Sequence, residues 1–222
     1  MKKIGVMIAM DKEFQFFASH LQNLNQQILH KCKFYTGIMD GKEITAVISG
    51  IGKVNTALCA ADLINIFNVD MIINIGISGG LDSSLNIGDF VVGNEIVYHD
   101  VWCGEPNKTG QVQGLPESYY TDSHLTSLLP QFRHGLLCCG DQFITEEKEL
   151  KPIIEKFPQA LAVDMESAAI AQTCYLYNIP FLCIRQISDV AGHKNQNEQY
   201  QTFWKNAADN SVAVLKDILE KL

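Results

Sequence analysis

Three short segments set acids at the ends of apolar runs: Glu13 in IAMDKEF, Asp164 and Glu166 in ALAVDMESAAIAQ, and Asp189 behind Ser188 in FLCIRQISD. Each apolar run reads as a strand, so three separate crossings deliver carboxylates towards what can be one end of a sheet. Gathered there, such a set can divide the work of proton donor and proton acceptor. Each acid alone has a plainer explanation. Asp is a favoured helix N-cap, and negative charge in a first turn complements the positive end of the helix macrodipole. The coincidence of three, each beside a buried strand, is what favours chemistry.

Two further motifs suggest other activities. Residues 76–80 read G-I-S-G-G and satisfy G-x-S-x-G, the nucleophile elbow of serine hydrolases, which would make Ser78 a nucleophile. That elbow needs a strand before it and a helix directly after it. The strand is there in MIINIG, but LDSSLNIGDF is turn-like and leads into another strand. His193 lies late enough to complete a triad, yet in a polar loop without local support. The better reading takes Ile77, Ser78 and Gly79 as a backbone loop at a strand's carboxyl end, where open α/β sheets bind ligands. Gly50-Ile51-Gly52-Lys53 lacks both the spacing of a phosphate loop and the third glycine of a dinucleotide fingerprint. It suffices as a tight strand-to-helix turn.

The elements that must position these residues follow from the apolar pattern. Strands are expected in KIGVMIA, EITAVISG, VDMIINIG, DFVVGNEIVYH, HGLLCCG and PFLCIRQIS. Several are apolar nearly throughout, as in strands covered on both faces. Helices are expected in EFQFFASHLQNL, VNTALCAADLINIF, MESAAIAQTCYLY and FWKNAADNSVAVLKDILEKL. The alternation predicts an α/β protein whose central sheet is flanked by helices. Segment 27–48, divided at Asp40-Gly41, reads as an antiparallel hairpin and favours a mixed sheet. The stretch WCGEPNKTGQVQGLPES, residues 102–118, is an irregular loop of a length that commonly carries function. No linker or repeat interrupts the chain, so one domain over 1–222 is expected.

Composition narrows the partners. With 47% apolar residues among 222, a sizeable core is expected, and a net charge of −8 argues against nucleic acid, which would want a basic stripe. Seven cysteines form no C-x-x-C and most lie in apolar runs. They read as buried free thiols in a reducing compartment, the cytoplasm, with neither a disulfide framework nor a metal site. No apolar run is long enough to span a bilayer, and the start MKKIGVMIAMDKE is too short and too soon charged to be a signal peptide, so no membrane association is expected.

Read together, MKKIGVMIAMDKEF, VISGIGKVNTALCAADLI, INIGISGGL, GDFVVGNEIVYHD, GDQFI, VDMESAAIAQ and PFLCIRQISDVA stand in the order of one family. The chain resembles the 5′-methylthioadenosine/S-adenosylhomocysteine nucleosidases, within the purine nucleoside phosphorylase superfamily, over nearly its whole length. The M-E-S-A-A-I run with R-x-I-S-D downstream carries most of the specificity. The resemblance implies a single α/β domain around a mixed, partly barrel-like sheet, usually a homodimer, acting on a small-molecule purine nucleoside. It also implies roles. Glu13 matches the carboxylate that activates the attacking water, and Asp189 the acid that protonates the leaving purine, oriented by Ser188. Glu166 matches the acid holding the ribose hydroxyls, with Met165 beneath the sugar. Phe143 and Ile144 match the purine-facing segment, Tyr200 an aromatic over the sugar, and Arg185 a group that steers a neighbouring carboxylate or pairs with one. The chemistry requires neither metal nor other cofactor.

The same scaffold serves phosphorolysis, in which phosphate replaces water and is generally gripped by several arginines. This chain has two, Arg133 and Arg185, and the first sits in a surface-like segment. That scarcity favours water. Four departures from the family pattern stand out: Lys12 in place of an acid, Asp164 in place of a glutamate, Ile77 at a usually small or hydroxylated position, and the altered loop 102–118. The loop is expected to shape the pocket for the 5′ substituent. A silent nucleoside-binding protein is a further alternative, disfavoured because a pure binder has no need of a base beside the water site.

Overall fold

The computed structural model describes residues 2–206 and 210–222, with the backbone alone for residues 16 and 204–206. Strand β1 (Lys3–Ile8) leads into α1 (Asp11–Ala18), and β2 (Gln22–Leu29), β3 (Cys32–Met39) and β4 (Lys42–Ile48) follow as an antiparallel meander. Helix α2 (Lys53–Asn65) returns the chain to β5 (Met71–Gly80). Next come β6 (Phe90–Tyr98), the short β7 (Tyr119–Tyr120), α3 (Ser123–Ser127), β8 (Arg133–Cys139) and α4 (Glu147–Lys156). The chain finishes through β9 (Ala160–Asp164), α5 (Ser167–Tyr177), β10 (Phe181–Val190), α6 (Gln196–Asn206) and α7 (Asn210–Lys221).

These strands form one mixed sheet in the order β10-β6-β8-β9-β5-β1-β4-β3-β2, with β7 on β6. Because β10 also pairs with β5, strands β5, β9, β8, β6 and β10 close into a ring, the partly barrel-like sheet expected of the resemblance. Strands β1 and β10 are buried almost along their whole length, as their apolar sequences require. Helices cover both faces: Cys59, Ala60 and Leu63 of α2 pack with Ala168, Ile170 and Ala171 of α5, while Val212, Leu215 and Ile218 of α7 join Phe14 and Phe17 of α1 on the other side. Full burial of each larger aliphatic side chain contributes about 1.5–3 kcal/mol. Among the described residues no helix is long and apolar enough to cross a membrane.

Three expectations about elements change. The first helix ends at Ala18 instead of running through Leu24, and the segment from Gln22 is strand. Strand β2 is a polar edge strand exposed at nearly every position, so it carries no apolar alternation; it exists because it pairs with β3. The C-terminal helix predicted over 203–222 is two, α6 and α7, with residues 207–209 outside the described residues, and α6 starts earlier, at Gln196. Residues 76–80 are not a loop. They continue β5 and pair with β10 and β9, the glycine-rich stretch remaining extended because its neighbours supply the hydrogen bonds. The hairpin about Asp40-Gly41 forms as expected, with Met39 opposite Lys42 and both turn residues at positive φ.

Candidate functional site

Strand β5 pairs with β1, β9 and β10, and the chain leaves those three neighbours with Glu13, Glu166 and Asp189. All three acids line one cavity of about 390 Å³. The cavity wall also includes Met165, Ser188, Arg185, Ile77, Ser78, Gly79, Phe143, Ile144 and Tyr200, so every residue to which the resemblance assigns a role, and the Ile77–Gly79 segment, reaches it.

Glu13 is held by the start of α1. Its Oε2 accepts from the amide of Met10 at 3.0 Å, closing a capping box in which the acid secures the first turn. Glycine at position 76 lets it approach β5, since a Cβ there would lie 3.1 Å from Glu13 Oε1. Burial pushes the Glu13 carboxyl up to about 7, against the pull of nearby backbone amides and Arg185. Glu166 stands at the mouth of α5, and its Oε1 accepts from the amide of Gly52 at 3.0 Å. Gly52 adopts φ 98°, a conformation that favours glycine, at the turn between β4 and α2. Burial, and then the negative charge of Asp164, raise the Glu166 carboxyl to about 7.

Asp164 is the cap that the sequence suggested. Its Oδ1 accepts from the amides of Glu166 and Ser167, at 3.2 and 3.1 Å, and from the Ser167 hydroxyl at 2.8 Å. Its Oδ2 pairs with Arg185 Nε at 2.8 Å, both side chains being fully enclosed. Arg185 also donates from its two terminal nitrogens to the carbonyl of Ile184 and to Asn74 Oδ1. It pairs with Asp164 structurally, and through it fixes the start of α5. Asp189 lies on β10, where Ser188 Oγ donates to its Oδ2 at 2.5 Å and Gln196 Nε2 donates to its Oδ1 at 2.6 Å. Burial raises the Asp189 carboxyl above its ordinary value, opposed by those two donors.

An aromatic rim faces these acids. Phe143 and Tyr200 lie with ring centroids 5.8 Å apart, and the Tyr200 hydroxyl reaches Met10 Sδ at 3.7 Å. The Ser78 hydroxyl is buried in the cavity wall without a hydrogen-bond partner, a polar group suited to a polar ligand. It is no hydrolase nucleophile: β5 runs straight through it, and among the described residues no histidine lines the cavity. His193 is exposed on the connection to α6. Residues 102–118 form the expected irregular loop, but none of them lines the cavity of its own chain. Sequence reasoning missed Met10, Ile51, Asn74, Gln142, Val163 and Gln196. Met10 and Ile51 lie within IAMDKEF and Gly50-Ile51-Gly52-Lys53 but received no role there; Gln196 sits in the polar run HKNQNEQYQ, which distinguishes none of its members.

The arrangement offers two carboxyls raised to about 7 and a third that burial also raises, in a cavity whose one cation among the described residues, Arg185, is paired with Asp164. Among the described residues, no group of three or more His, Cys, Asp or Glu side chains could hold a metal ion. The model of the phosphorylase superfamily matches residues 3–220. The chain is 37% identical to a 5′-methylthioadenosine/S-adenosylhomocysteine nucleosidase of Chromohalobacter salexigens, over all of this chain and 98% of that one. Its fold superposes with a TM-score of 0.95 on the corresponding nucleosidase of Colwellia psychrerythraea in complex with adenine, at 35% identity over 100% of this chain and 96% of the other. A TM-score of 0.95 also relates it to the Neisseria meningitidis nucleosidase bound to methylthio-immucillin-A, at 33% identity and with complete coverage of both chains.

Proposed function

Since the chain belongs to the 5′-methylthioadenosine/S-adenosylhomocysteine nucleosidases of the phosphorylase superfamily, we propose that it hydrolyses the N-glycosidic bond of methylthioadenosine, adenosylhomocysteine or both and releases adenine. The observation that carries this reading is the convergence of Glu13, Glu166 and Asp189 on one cavity. Cleavage of the bond between C1′ and the purine N9 leaves positive charge on the sugar and an electron pair on the base. Asp189, whose carboxyl burial raises, gives its proton to N7 of the departing purine. Glu13, with its carboxyl near 7, is a base matched to neutral pH and takes a proton from the water that bonds to C1′. Glu166 accepts from the ribose hydroxyls and stabilises the cationic sugar, with Met165 beneath it.

The remaining wall residues orient the substrate in this scheme. Phe143 and Tyr200 cover the base and sugar, the backbone of Ile144 reads the purine edge, and the β5 segment Ile77–Gly79 supports it with the Ser78 hydroxyl. Ser188 aligns the acid, and Arg185 acts through Asp164. Phosphorolysis is disfavoured by charge. The lining carries Glu13, Asp164, Glu166 and Asp189, and its one cation among the described residues, Arg185, is paired with Asp164, while Arg133 is engaged outside the cavity with Asp82 and Ser84. A phosphate dianion would enter a cavity richer in carboxyls than in cations.

The reading extends to a cytoplasmic homodimer with a purine nucleoside as its small-molecule partner. Its support is an apolar face on the packed pair α2 and α5, where Val54, Leu58 and Leu176 are 70%, 57% and 59% exposed. The test is a panel of purine nucleosides assayed for base release with and without phosphate. Free adenine and a free 5′-substituted ribose, at a rate indifferent to phosphate, are expected; strict phosphate dependence with a sugar phosphate as product would overturn hydrolysis. Asp189→Asn should lower turnover about 10²–10⁴-fold, and near-normal turnover would remove the acid from the scheme.

A further inference from the structure

We propose that Gln196 is the positioning residue of the acid: by donating to Asp189 Oδ1 it confines the transferable proton to Oδ2. The inference rests on Asp189 being the acid, as argued above.

Gln196 opens α6 and is 3% exposed, and every polar group of its amide is engaged. Its Oε1 accepts from the amide of Gly192 at 2.9 Å. Its Nε2 donates both to Asp189 Oδ1 at 2.6 Å and to the carbonyl of Ile144 at 2.9 Å. The Gly192 amide can only donate, so the Gln196 amide is locked with its nitrogen towards the acid. An N–H cannot accept a proton, and a protonated Oδ1 would face it donor to donor. Ser188 provides the other half. Its hydroxyl lies 2.5 Å from Asp189 Oδ2 and 3.2 Å from the carbonyl of Ser78. With the acid ionised, the Ser188 hydroxyl donates to Oδ2. With the acid neutral, Oδ2–H donates to Ser188 and the hydroxyl turns to the Ser78 carbonyl. Both protonation states are therefore fully hydrogen-bonded, provided the proton is on Oδ2.

The second Nε2 bond has its own effect. The Ile144 carbonyl belongs to the segment assigned to the purine edge, so one amide ties the acid to that segment and to the start of the helix bearing Tyr200. Removing the donor should also move the acid's titration, because an N–H on a carboxylate favours its charged form. Among the described residues, the other ionisable groups around the cavity are Glu13 from α1, Asp164 from β9, Glu166 at the start of α5, Arg185 on β10 itself and the Tyr200 phenol from α6. His193, Lys194 and Glu198, before and on α6, are exposed.

Gln196→Met keeps the length of the side chain and removes both donors. We expect kcat for adenine release to fall about tenfold to a hundredfold, KM to change by less than about threefold, and the alkaline limb of the kcat–pH profile to move to higher pH. Gln196→Glu guards against misfolding of the methionine variant. Its neutral carboxyl again offers a donor to Oδ1, so its turnover relative to Gln196→Met at the same pH should rise towards acid pH and be lost as the glutamate ionises. A turnover near that of the parent with an unmoved alkaline limb in Gln196→Met, or a Gln196→Glu variant no more active than Gln196→Met at any acid pH, would overturn the role. Asp189→Asn runs alongside: an active Asp189→Asn variant would reject the acid itself, whereas an inactive one with normal Gln196→Met turnover rejects only the positioning.

Discussion

Replacing Glu13 by Gln should disable the enzyme and stabilise the protein, and only at neutral to alkaline pH. Burial raises the Glu13 carboxyl from 4.5 to about 7, so the folded chain resists its ionisation. At about 1.36 kcal/mol per pH unit, that resistance amounts to roughly 3 kcal/mol. The sign follows from linkage. A carboxyl whose folded value lies above its unfolded one contributes stability that is complete below 4.5, declines as pH rises, and is gone above about 7. Glutamine does not ionise and keeps that contribution at every pH. Water in the cavity, and the amide's poorer acceptance of the backbone N–H groups around Glu13, will reduce the gain to ~1–3 kcal/mol. For a domain of this size each kcal/mol moves Tm by about 2–4 °C. Thermal unfolding of both proteins from pH 4.5 to 8.5 should therefore give curves that coincide at the acid end and separate by several degrees at the alkaline end. Turnover should fall about 10²–10⁴-fold at neutral and alkaline pH, the deficit shrinking towards the acid end as the parent's own Glu13 is protonated. A Tm difference that stays constant with pH, or a parent protein more stable than the variant at pH 8.5, would refute the reasoning.

Two other perturbations test the scaffold. Arg185→Met leaves the buried Asp164 carboxylate unpaired and should cost about 3–5 kcal/mol in urea unfolding, with the acid limb of activity moving to higher pH because Arg185 holds Glu13 and Glu166 down. Unchanged stability would mean that Asp164 is protonated or solvated in the fold. The proposed homodimer predicts a mass of two chains in size-exclusion chromatography with light scattering, and monomers once lysines replace Val54 and Leu176 together; a monomeric parent would refute the dimer, and an unaltered mass in the variant would refute this face.

Much of the site was legible because the acids close buried strands. Apolar runs such as PFLCIRQIS announce a strand covered on both faces, and an acid at its end is conspicuous. Asp164 could be separated from Glu166 because capping chemistry prefers Asp, and Asp164 does take the amides of α5's first turn. What stayed hidden depends on partners distant in the chain. Strand β2 owes its existence to β3 and has no apolar face to betray it. The glycine-rich 76–80 looks like a loop until β9 and β10 are seen to pair with it. Gln196 is one polar residue in a polar run, and only burial against Asp189 and Ile144 sets it apart.

Strand β5 brings no acid to the cavity, yet it is the common baseline from which the positions of all three are set. Glu13 lies against Gly76, Asp189 is in register with Gly79, and Val163, three residues before Glu166, pairs with the same glycine. Errors in placing the acids are therefore correlated. A small change in the twist of residues 76–80 shifts all three acids together, whereas a change in any one neighbouring strand displaces one of them. Tolerance to substitution should follow the same division, with the least latitude at the glycines that perform no chemistry themselves.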